Sequence, residues 1–227
     1  MADPLALVDT RAEYEHVFGI YVPIAVGVFC LVLVAVLAAV LVYRRRPPDR
    51  AARWSENNRV EGAYALVLAL VIGFLVYVTF KAEHRVDTVA ARQRPSLTVD
   101  VYGAEWEWHF HYPQYGIDRY SGTVGHQTLV VPTGQAIRFD LISRDVIHEF
   151  WIPELRYKHD LIPGSVQRVT LVFSRPGTFP GQCSEFCGLY HSRMLFTVVA
   201  VSPARFAAWA AAERAHRASA AGGGAAA

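Results

Sequence analysis

The chain has 227 residues, of which 53% are hydrophobic and only 19% are charged. This composition is apolar for a soluble domain, and it indicates a membrane-attached protein with one membrane part and one globular domain. The formal net charge of +2 argues against a nucleic-acid binder, because such proteins carry clustered basic surfaces.

Two uncharged stretches in the first third of the chain predict transmembrane helices. Residues 17–43 contain no charged residue, and at about 1.5 Å per residue a helix of this length exceeds a hydrocarbon core of about 30 Å. Residues 62–80 are also uncharged and have roughly the 20-residue length that spans a bilayer. The two segments predict a transmembrane hairpin.

The charges that flank these helices predict the orientation of the hairpin. Residues 44–59 contain six arginines, whereas residues 1–16 contain one arginine and four acids. By the positive-inside rule, the Arg-rich loop 44–61 is cytoplasmic, and the N-terminal segment 1–16 and the C-terminal part lie on the outer face of the cell membrane. No small-residue cleavage pattern follows the first apolar run, so we expect the mature chain to keep both helices.

After a linker at 81–95, the pattern changes to short β-branched and aromatic runs separated by Pro and Gly turns. Residues 96–201 therefore predict an all-β sandwich or barrel. Residues 105–112, "EWEWHFHY", alternate strictly between polar and aromatic side chains, which indicates a strand with one buried face. The aromatic face comprises Trp106, Trp108, Phe110 and Tyr112, and the polar face comprises Glu105, Glu107, His109 and His111. Residues 202–227 predict a short Ala-rich C-terminal helix that starts near Pro203 and ends in a flexible tail.

The stretch "GQCSEFCGLYHSRM" holds most of the chain's metal-binding side chains. Cys183, Cys187, His191 and Met194 follow the spacing C-x3-C-x3-H-x2-M, and His148 in "SRDVIHEFWIP" is a fifth candidate. Thiolate, imidazole and thioether are soft ligands, and this set suits copper better than calcium or magnesium.

Four kinds of site remain open on these residues. A disulfide between the two cysteines is plausible outside the cytoplasm, but it leaves His191 and Met194 unexplained. A structural zinc site can use two Cys and two His, although Met is a poor zinc ligand. A mononuclear blue copper site needs only one of the two cysteines. Two bridging thiolates with one imidazole per metal describe a pair of copper ions.

The motif "HEFWIPEL…KHDLIPG…PGTFPGQCSEFCGLYHSRM" resembles subunit II of haem-copper cytochrome c oxidases, and the resemblance covers residues 15–201. It implies a cupredoxin-like domain with a binuclear copper centre, CuA, behind a two-helix membrane anchor. By position, Cys183 and Cys187 are implied to be bridging thiolates. The resemblance further implies that His148 and His191 each bind one copper, with Met194 and the Glu185 carbonyl as axial ligands.

The resemblance implies further roles outside the copper ligands. Trp106 matches the residue at which an electron from cytochrome c enters, and the Glu185 side chain is implied to help hold a magnesium ion against subunit I. Asp145 and Asp160 match carboxylates of the surface that meets cytochrome c. Glu61 matches the family glutamate at the mouth of a proton-uptake channel, although the unbroken helix that follows departs from the family's pattern.

The expected function is electron transfer from cytochrome c, or from a cytochrome c domain, through this copper centre to the haem of subunit I. Oxygen is then reduced to water in aerobic respiration, and this subunit has no oxygen-reducing site of its own. Its partners are expected to be subunit I, the other oxidase subunits and the membrane. Two alternatives are a CuA-bearing subunit of a nitric oxide reductase and a membrane-anchored copper carrier. A copper-free quinol oxidase subunit would lack the ligand set.

Overall fold

The computed structural model describes residues 10–44, 56–120 and 126–223. The chain divides into a helical unit, residues 12–85, and a second unit formed mainly by residues 86–227. Most of the predicted Arg-rich loop 44–61 and the end of the predicted C-terminal tail lie outside the described residues, as does the start of the N-terminal segment.

The helical unit is built from two antiparallel helices, α1 (Thr10–Tyr43) and α2 (Asn58–Arg92). The Tyr21 hydroxyl of α1 lies 2.7 Å from the Thr79 hydroxyl of α2. Nearer the start of α1, Glu13 accepts a 2.9 Å hydrogen bond from Arg85 of α2. Both helices are long and apolar enough to cross a membrane, with no residue of their most apolar windows buried. Such exposure of apolar side chains suits contact with lipid.

The helix α2 extends beyond the segment predicted to span the membrane. It continues through most of the stretch 81–95, which the sequence suggested as a linker, and it ends at Arg92. Residues 81–92 contain neither Gly nor Pro, so nothing in them breaks the helix. Pro95 disfavours the helical conformation in the residue before it, which explains why the helix does not continue as far as Pro95.

The second unit contains two five-stranded sheets, which confirms the predicted all-β domain. One sheet has the strand order β3-β2-β1-β5-β8 and the other has the order β4-β10-β9-β6-β7. Each sheet is mixed, because β1 pairs with β5 and β4 pairs with β10 in parallel while the other neighbours are antiparallel. The strands are β1 Leu97–Ala104, β2 Glu107–Tyr112, β3 Ile117–Tyr120, β4 Gln127–Pro132, β5 Ala136–Ser143, β6 His148–Ile152, β7 Tyr157–Leu161, β8 Val166–Val172, β9 Gly177–Cys183 and β10 Leu195–Val201.

Aromatic side chains from both sheets fill the core between them. Trp108 of β2 packs edge-on against Phe150 of β6 and Phe196 of β10, with ring centroids 5.8 Å and 5.3 Å away. Phe150 and Phe196 stack with their ring planes only 8° apart. Every second residue of β2 is buried, so the alternation predicted for this strand is confirmed. Trp106 lies in the turn before the strand and is partly buried against the core.

The C-terminal helix α3 (Pro203–Gly223) confirms the predicted helix and its Pro start. Phe206 and Ala210 are buried, and Trp209 packs edge-on against Tyr112 of β2 at 5.3 Å. Arg217 of α3 donates a 2.8 Å hydrogen bond to Asp118 of β3, and Arg119 donates one to Glu213 of α3. The helix is therefore docked on the β-sandwich by apolar and ionic contacts together.

Candidate metal centre

Three neighbouring strands bring the predicted ligands to one end of the second sheet. His148 is the first residue of β6, Cys183 is the last residue of β9, and Met194 directly precedes β10. Strand β9 lies between the other two, with Cys183 opposite Phe150 of β6. The Cys183 amide also donates a 3.0 Å hydrogen bond to the Met194 carbonyl. Residues far apart in sequence therefore meet because their strands are neighbours in the sheet.

The loop between Cys183 and Met194 folds back over the strand ends through one left-handed turn. Gly188 has a φ of +110°, and a Cβ at this position would lie 3.2 Å from the indole of Trp106. Glycine is favoured here because it has no Cβ to meet this ring or to strain the backbone. A short 3-10 turn, His191–Arg193, then presents the His191 ring to the site.

The two cysteine sulfurs lie 3.8 Å apart, and each has its own histidine. Cys183 Sγ is 3.9 Å from His148 Nδ1, and Cys187 Sγ is 3.5 Å from His191 Nδ1. His148, Cys183 and Cys187 place one ligand atom each within 4.8 Å of one another. The histidine and the two cysteines are therefore positioned to hold a metal ion.

Two weaker donors complete this group, one beside each sulfur. Cys183 Sγ lies 3.3 Å from the Glu185 carbonyl oxygen, and Cys187 Sγ lies 3.9 Å from the Met194 thioether. All six residues that the sequence suggested as ligands are thus gathered in one place. The arrangement is symmetrical in its chemistry, since each thiol has one imidazole and one weak donor as neighbours.

The site is closed to water over most of its surface. His148 and Met194 are fully buried, and each cysteine is only 3% exposed. His191 is half-buried, and beyond it the loop exposes Phe186 and Leu189 to the outside. Burial of this kind raises the strength of electrostatic interactions within the group.

His148 is held in a fixed orientation by Asp145. Its Nδ1 faces Cys183, while its Nε2 bonds to Asp145 Oδ1 at 2.8 Å. The same carboxylate accepts 2.7 Å hydrogen bonds from the backbone amides of Val146 and Glu105. A carboxylate behind a ligating imidazole orients the ring and makes it a better donor. No local sequence pattern predicts this contact, because the resemblance implies only a role for Asp145 in a docking surface.

The charges within the cluster favour a thiolate at Cys183. Burial raises the pKa of the Cys183 thiol, but its hydrogen bonds to His148 and to the backbone outweigh burial, so that its pKa is lowered. Burial and the adjacent Cys183 charge raise the pKa of Cys187. Burial lowers the pKa of His148, yet its contacts with Cys183 and Asp145 leave that pKa raised overall. Both shifts favour the charged form of the side chain, a thiolate at Cys183 and an imidazolium at His148, because each charge stabilises the other.

Two tryptophans donate hydrogen bonds to the backbone of the loop from Cys183 to Met194, which we call the ligand loop. Trp106 donates from its indole nitrogen to the Cys187 carbonyl at 3.0 Å, and its ring meets Tyr190 edge-on at 4.9 Å. Trp108 donates to the Met194 carbonyl at 3.2 Å. The alternating pattern of β2 predicted burial for Trp108, but it held no signal for these two hydrogen bonds or for the contact with Tyr190.

The other two predicted residues lie outside this group. Glu61 lies in the first turn of α2, where its carboxylate accepts a 3.2 Å hydrogen bond from the Asn57 amide, while Asn57 Oδ1 accepts one from the Val60 amide. This reciprocal arrangement caps the start of the helix. Asp160 is in β7, directly opposite Glu149 of β6, and is half-buried.

The β-sandwich matches a known protein family over its whole length. Residues 97–201 match the family described as "Cytochrome C oxidase subunit II, periplasmic domain". A cytochrome c oxidase subunit 2 from Schizosaccharomyces pombe is 33% identical over 203 residues, which cover 80% of this chain and 81% of that protein. The chain belongs to the cytochrome c oxidase subunit II family.

Other members of the cytochrome c oxidase subunit II family are longer than this chain. A probable cytochrome c oxidase subunit 2 from Streptomyces coelicolor is 34% identical over 188 residues, which cover 66% of this chain but only 58% of that protein. Among solved structures, the periplasmic domain of subunit II of cytochrome oxidase from Bradyrhizobium japonicum is 30% identical. It matches with a TM-score of 0.49 over 54% of this chain and 96% of that domain.

Proposed function

We propose that this chain is the subunit of a cytochrome c oxidase that receives electrons from cytochrome c at a binuclear copper centre and passes them to the haem of subunit I. The observation that carries the proposal is the pair of sulfurs 3.8 Å apart, each with its own histidine. Oxygen is reduced in subunit I, and this chain supplies no oxygen-reducing site. Membership of the cytochrome c oxidase subunit II family supports the same assignment.

The donor set fits two metal ions better than one. A metal–thiolate bond is about 2.3 Å long, so two sulfurs that share an ion lie less than about 4.6 Å apart. The observed 3.8 Å meets this condition. Six donors exceed the four that a single tetrahedral ion uses, whereas two ions that share both thiolates receive four donors each. Thiolate, thioether and imidazole donors favour copper.

In this assignment Cys183 and Cys187 would be shared by the two ions, and His148 and His191 would hold one ion each. Met194 and the Glu185 carbonyl would be the weak ligands. A copper pair bound in this way would supply a site for one-electron transfer. The chain's own part is to hold these donors in a closed, buried arrangement in which no position is left for a substrate, and such a site suits electron relay.

Trp106 is proposed as the residue through which the electron arrives. Its ring is only partly buried, and its indole bonds directly to the carbonyl of Cys187. An indole offers apolar area for a docking partner together with a polar hydrogen bond inward. Asp145 and Asp160 are proposed to contribute negative charge to the same docking surface, although Asp145 also bonds to His148.

The remaining roles follow from the family resemblance. The side chain of Glu185 is exposed while its carbonyl faces Cys183, so its carboxylate is available for a magnesium ion at the contact with subunit I. Glu61 is proposed at the entrance of a proton channel, in addition to its capping contact. The six arginines of residues 44–59 support a cytoplasmic location for that loop and an outer location for the copper domain, by the positive-inside rule.

The test is electron transfer to the full-length, copper-loaded chain in detergent, with reduced cytochrome c as the donor. We expect stopped-flow spectra to show oxidation of cytochrome c together with loss of the copper absorption, at a rate that falls as ionic strength rises. Copper-free chain is the control. A copper-loaded chain that cytochrome c does not reduce would refute the proposal. Rapid transfer of copper to a chelator without any electron transfer would instead indicate a copper carrier.

A further inference from the structure

Glu149 is a buried carboxylate next to a proposed copper ligand. It follows His148 in β6, and its side chain is only 8% exposed. A buried charge of this kind is costly unless it is paired and hydrogen-bonded. The surroundings of Glu149 therefore show what the chain gains from keeping a carboxylate at this position.

Two side chains from different elements satisfy the carboxylate. Lys158 of β7 places its ammonium 3.1 Å from the Glu149 carboxylate, while the Lys158 side chain itself stays largely exposed. The Ser184 hydroxyl donates a hydrogen bond to Glu149 Oε2. Lys158 compensates the negative charge of the Glu149 carboxylate from the solvent side, and Ser184 donates a hydrogen bond to the same carboxylate from the ligand loop.

The backbone of Glu149 bonds to the same segment of the loop. The Ser184 amide donates a 3.2 Å hydrogen bond to the Glu149 carbonyl. Ser184 lies between Cys183 and Glu185, two of the proposed ligands. Glu149 thus joins the strand that holds His148 to the first residues of the loop that holds the other ligands.

We propose that Glu149 is a positioning residue of the copper centre, which fixes the start of the ligand loop through its hydrogen bond with Ser184. This inference rests on the proposed copper-binding function. The carboxylate does not bind copper. It orients Ser184, and with it the thiolate of Cys183 and the carbonyl of Glu185, against the ring of His148.

The physical reason is that the two halves of the site come from separate elements. His148 is set by β6, whereas the residues from Cys183 to Met194 follow the end of β9 and form a loop with an exposed tip at Phe186. Backbone pairing between β6 and β9 stops near Cys183. The Glu149–Ser184 bond extends this connection by one residue into the loop. Contacts that orient ligands from behind change metal affinity by about 10- to 100-fold when they are removed.

The test compares full-length, copper-loaded variants in detergent, and it measures copper release to a chelator and the copper hyperfine pattern in paramagnetic resonance. We expect Glu149→Ala and Ser184→Ala each to release copper about 10-fold faster or more and to alter the hyperfine pattern. Glu149→Gln should stay close to wild type, because its amide oxygen still accepts the Ser184 hydrogen bond. Glu154→Ala is the matched control, since this half-buried glutamate of the following turn bonds to Arg175 instead.

The double variant Glu149→Ala/Ser184→Ala shows whether the two residues act through one bond. We expect it to release copper no faster than the faster single variant, because two partners of one interaction do not add. Additive effects, or wild-type release by Glu149→Ala, would overturn the proposal. If Glu149→Ala does not fold, as judged by circular dichroism of the metal-free chain, Ser184→Ala alone decides it. A wild-type chain that binds no copper pair would instead refute the proposed function.

Discussion

The indole nitrogen of Trp106 lies 3.0 Å from the carbonyl oxygen of Cys187 and donates a hydrogen bond to it. One hydrogen bond therefore separates a partly exposed aromatic ring from a residue whose sulfur belongs to the metal centre. The Tyr190 ring meets the indole edge-on from the same loop, and Gly188 leaves room for the indole beside the backbone. The contact links the surface of the domain to its buried cluster.

Replacing Trp106 should slow the arrival of electrons without emptying the site. Trp106→Phe keeps an aromatic ring but loses the hydrogen bond to Cys187, and aromatic anchors of this kind dominate docking surfaces. We expect electron transfer from reduced cytochrome c to slow by roughly tenfold or more, with unchanged copper content. Stopped-flow spectroscopy measures the rate. Tyr120→Phe is the control, since this exposed tyrosine of β3 packs against His109, away from the loop that contains Cys187. An equal effect in this variant would contradict the role of Trp106.

Removing the charge behind His148 should weaken metal binding. In Asp145→Asn the side chain still fits, but the imidazole Nε2 loses the carboxylate that orients it. We expect copper affinity to fall by about 10- to 100-fold, the range typical for partners behind a ligating histidine. Competition with a chelator measures the affinity. Asp160→Asn, on a neighbouring strand, should leave copper affinity unchanged, and an equal loss in both variants would argue against a specific role for the Asp145–His148 bond.

Loss of the Met194 thioether and loss of the Cys187 thiol should have different effects on the copper centre. Met194 is fully buried, with its thioether 3.9 Å from the Cys187 sulfur. Because a weak axial ligand tunes the redox potential of copper, Met194→Leu should keep both coppers and shift the midpoint potential in spectroelectrochemical titration. Cys187→Ser should lose the binuclear centre. A delocalised copper-pair signal from Cys187→Ser would show that this residue is not a bridging ligand.

Asp118 should make the docking of α3 dependent on pH. Burial raises the pKa of Asp118, but hydrogen bonds from Arg217 and His111 outweigh it and lower that pKa to about 2 from the usual 3.8. The carboxylate is therefore worth about 2 kcal/mol of folding free energy above pH 4, and this stability is lost as the pH falls through about 2.

The Asp118→Asn variant tests this linkage. We expect it to be less stable than wild type by about 2 kcal/mol at pH 7, with the difference shrinking as the pH approaches 2. Chemical denaturation followed by the fluorescence of tryptophans, among them Trp209 of α3, measures the difference. Arg217→Gln removes the partner on α3 and should give a loss of the same sign. A difference between Asp118→Asn and wild type that does not depend on pH would contradict the assigned pKa.

The sequence predicts a candidate site where the donor residues are close together along the chain, and it predicts nothing about contacts that depend on strand pairing. Cys183, Cys187, His191 and Met194 stand close together in the sequence, so their donor types alone indicated a soft-metal site. Strict alternation in β2 was enough to predict the burial of Trp108. The bond from Asp145 to His148 and the bond from Glu149 to Ser184 had no such signal. Both bonds depend on the conformation of a loop beside a strand end, the residues before β6 for Asp145 and the residues after β9 for Ser184. The second bond also depends on the pairing of β6 with β9.

The element boundaries show the same distinction. Hydropathy predicts candidate membrane spans within α1 and α2, but it does not predict that α2 continues through polar residues to Arg92. Helix propensity, and not apolarity, decides where that helix ends. The parallel pairing of β1 with β5 and of β4 with β10 was likewise absent from the local pattern.

The copper content and the paramagnetic resonance spectrum of the chain decide whether Cys183 and Cys187 hold a copper pair between them. We expect two copper ions per chain, and a hyperfine pattern from one unpaired electron shared equally by two copper nuclei. A single copper ion per chain with an unshared electron, or a preference for zinc over copper, would contradict this expectation.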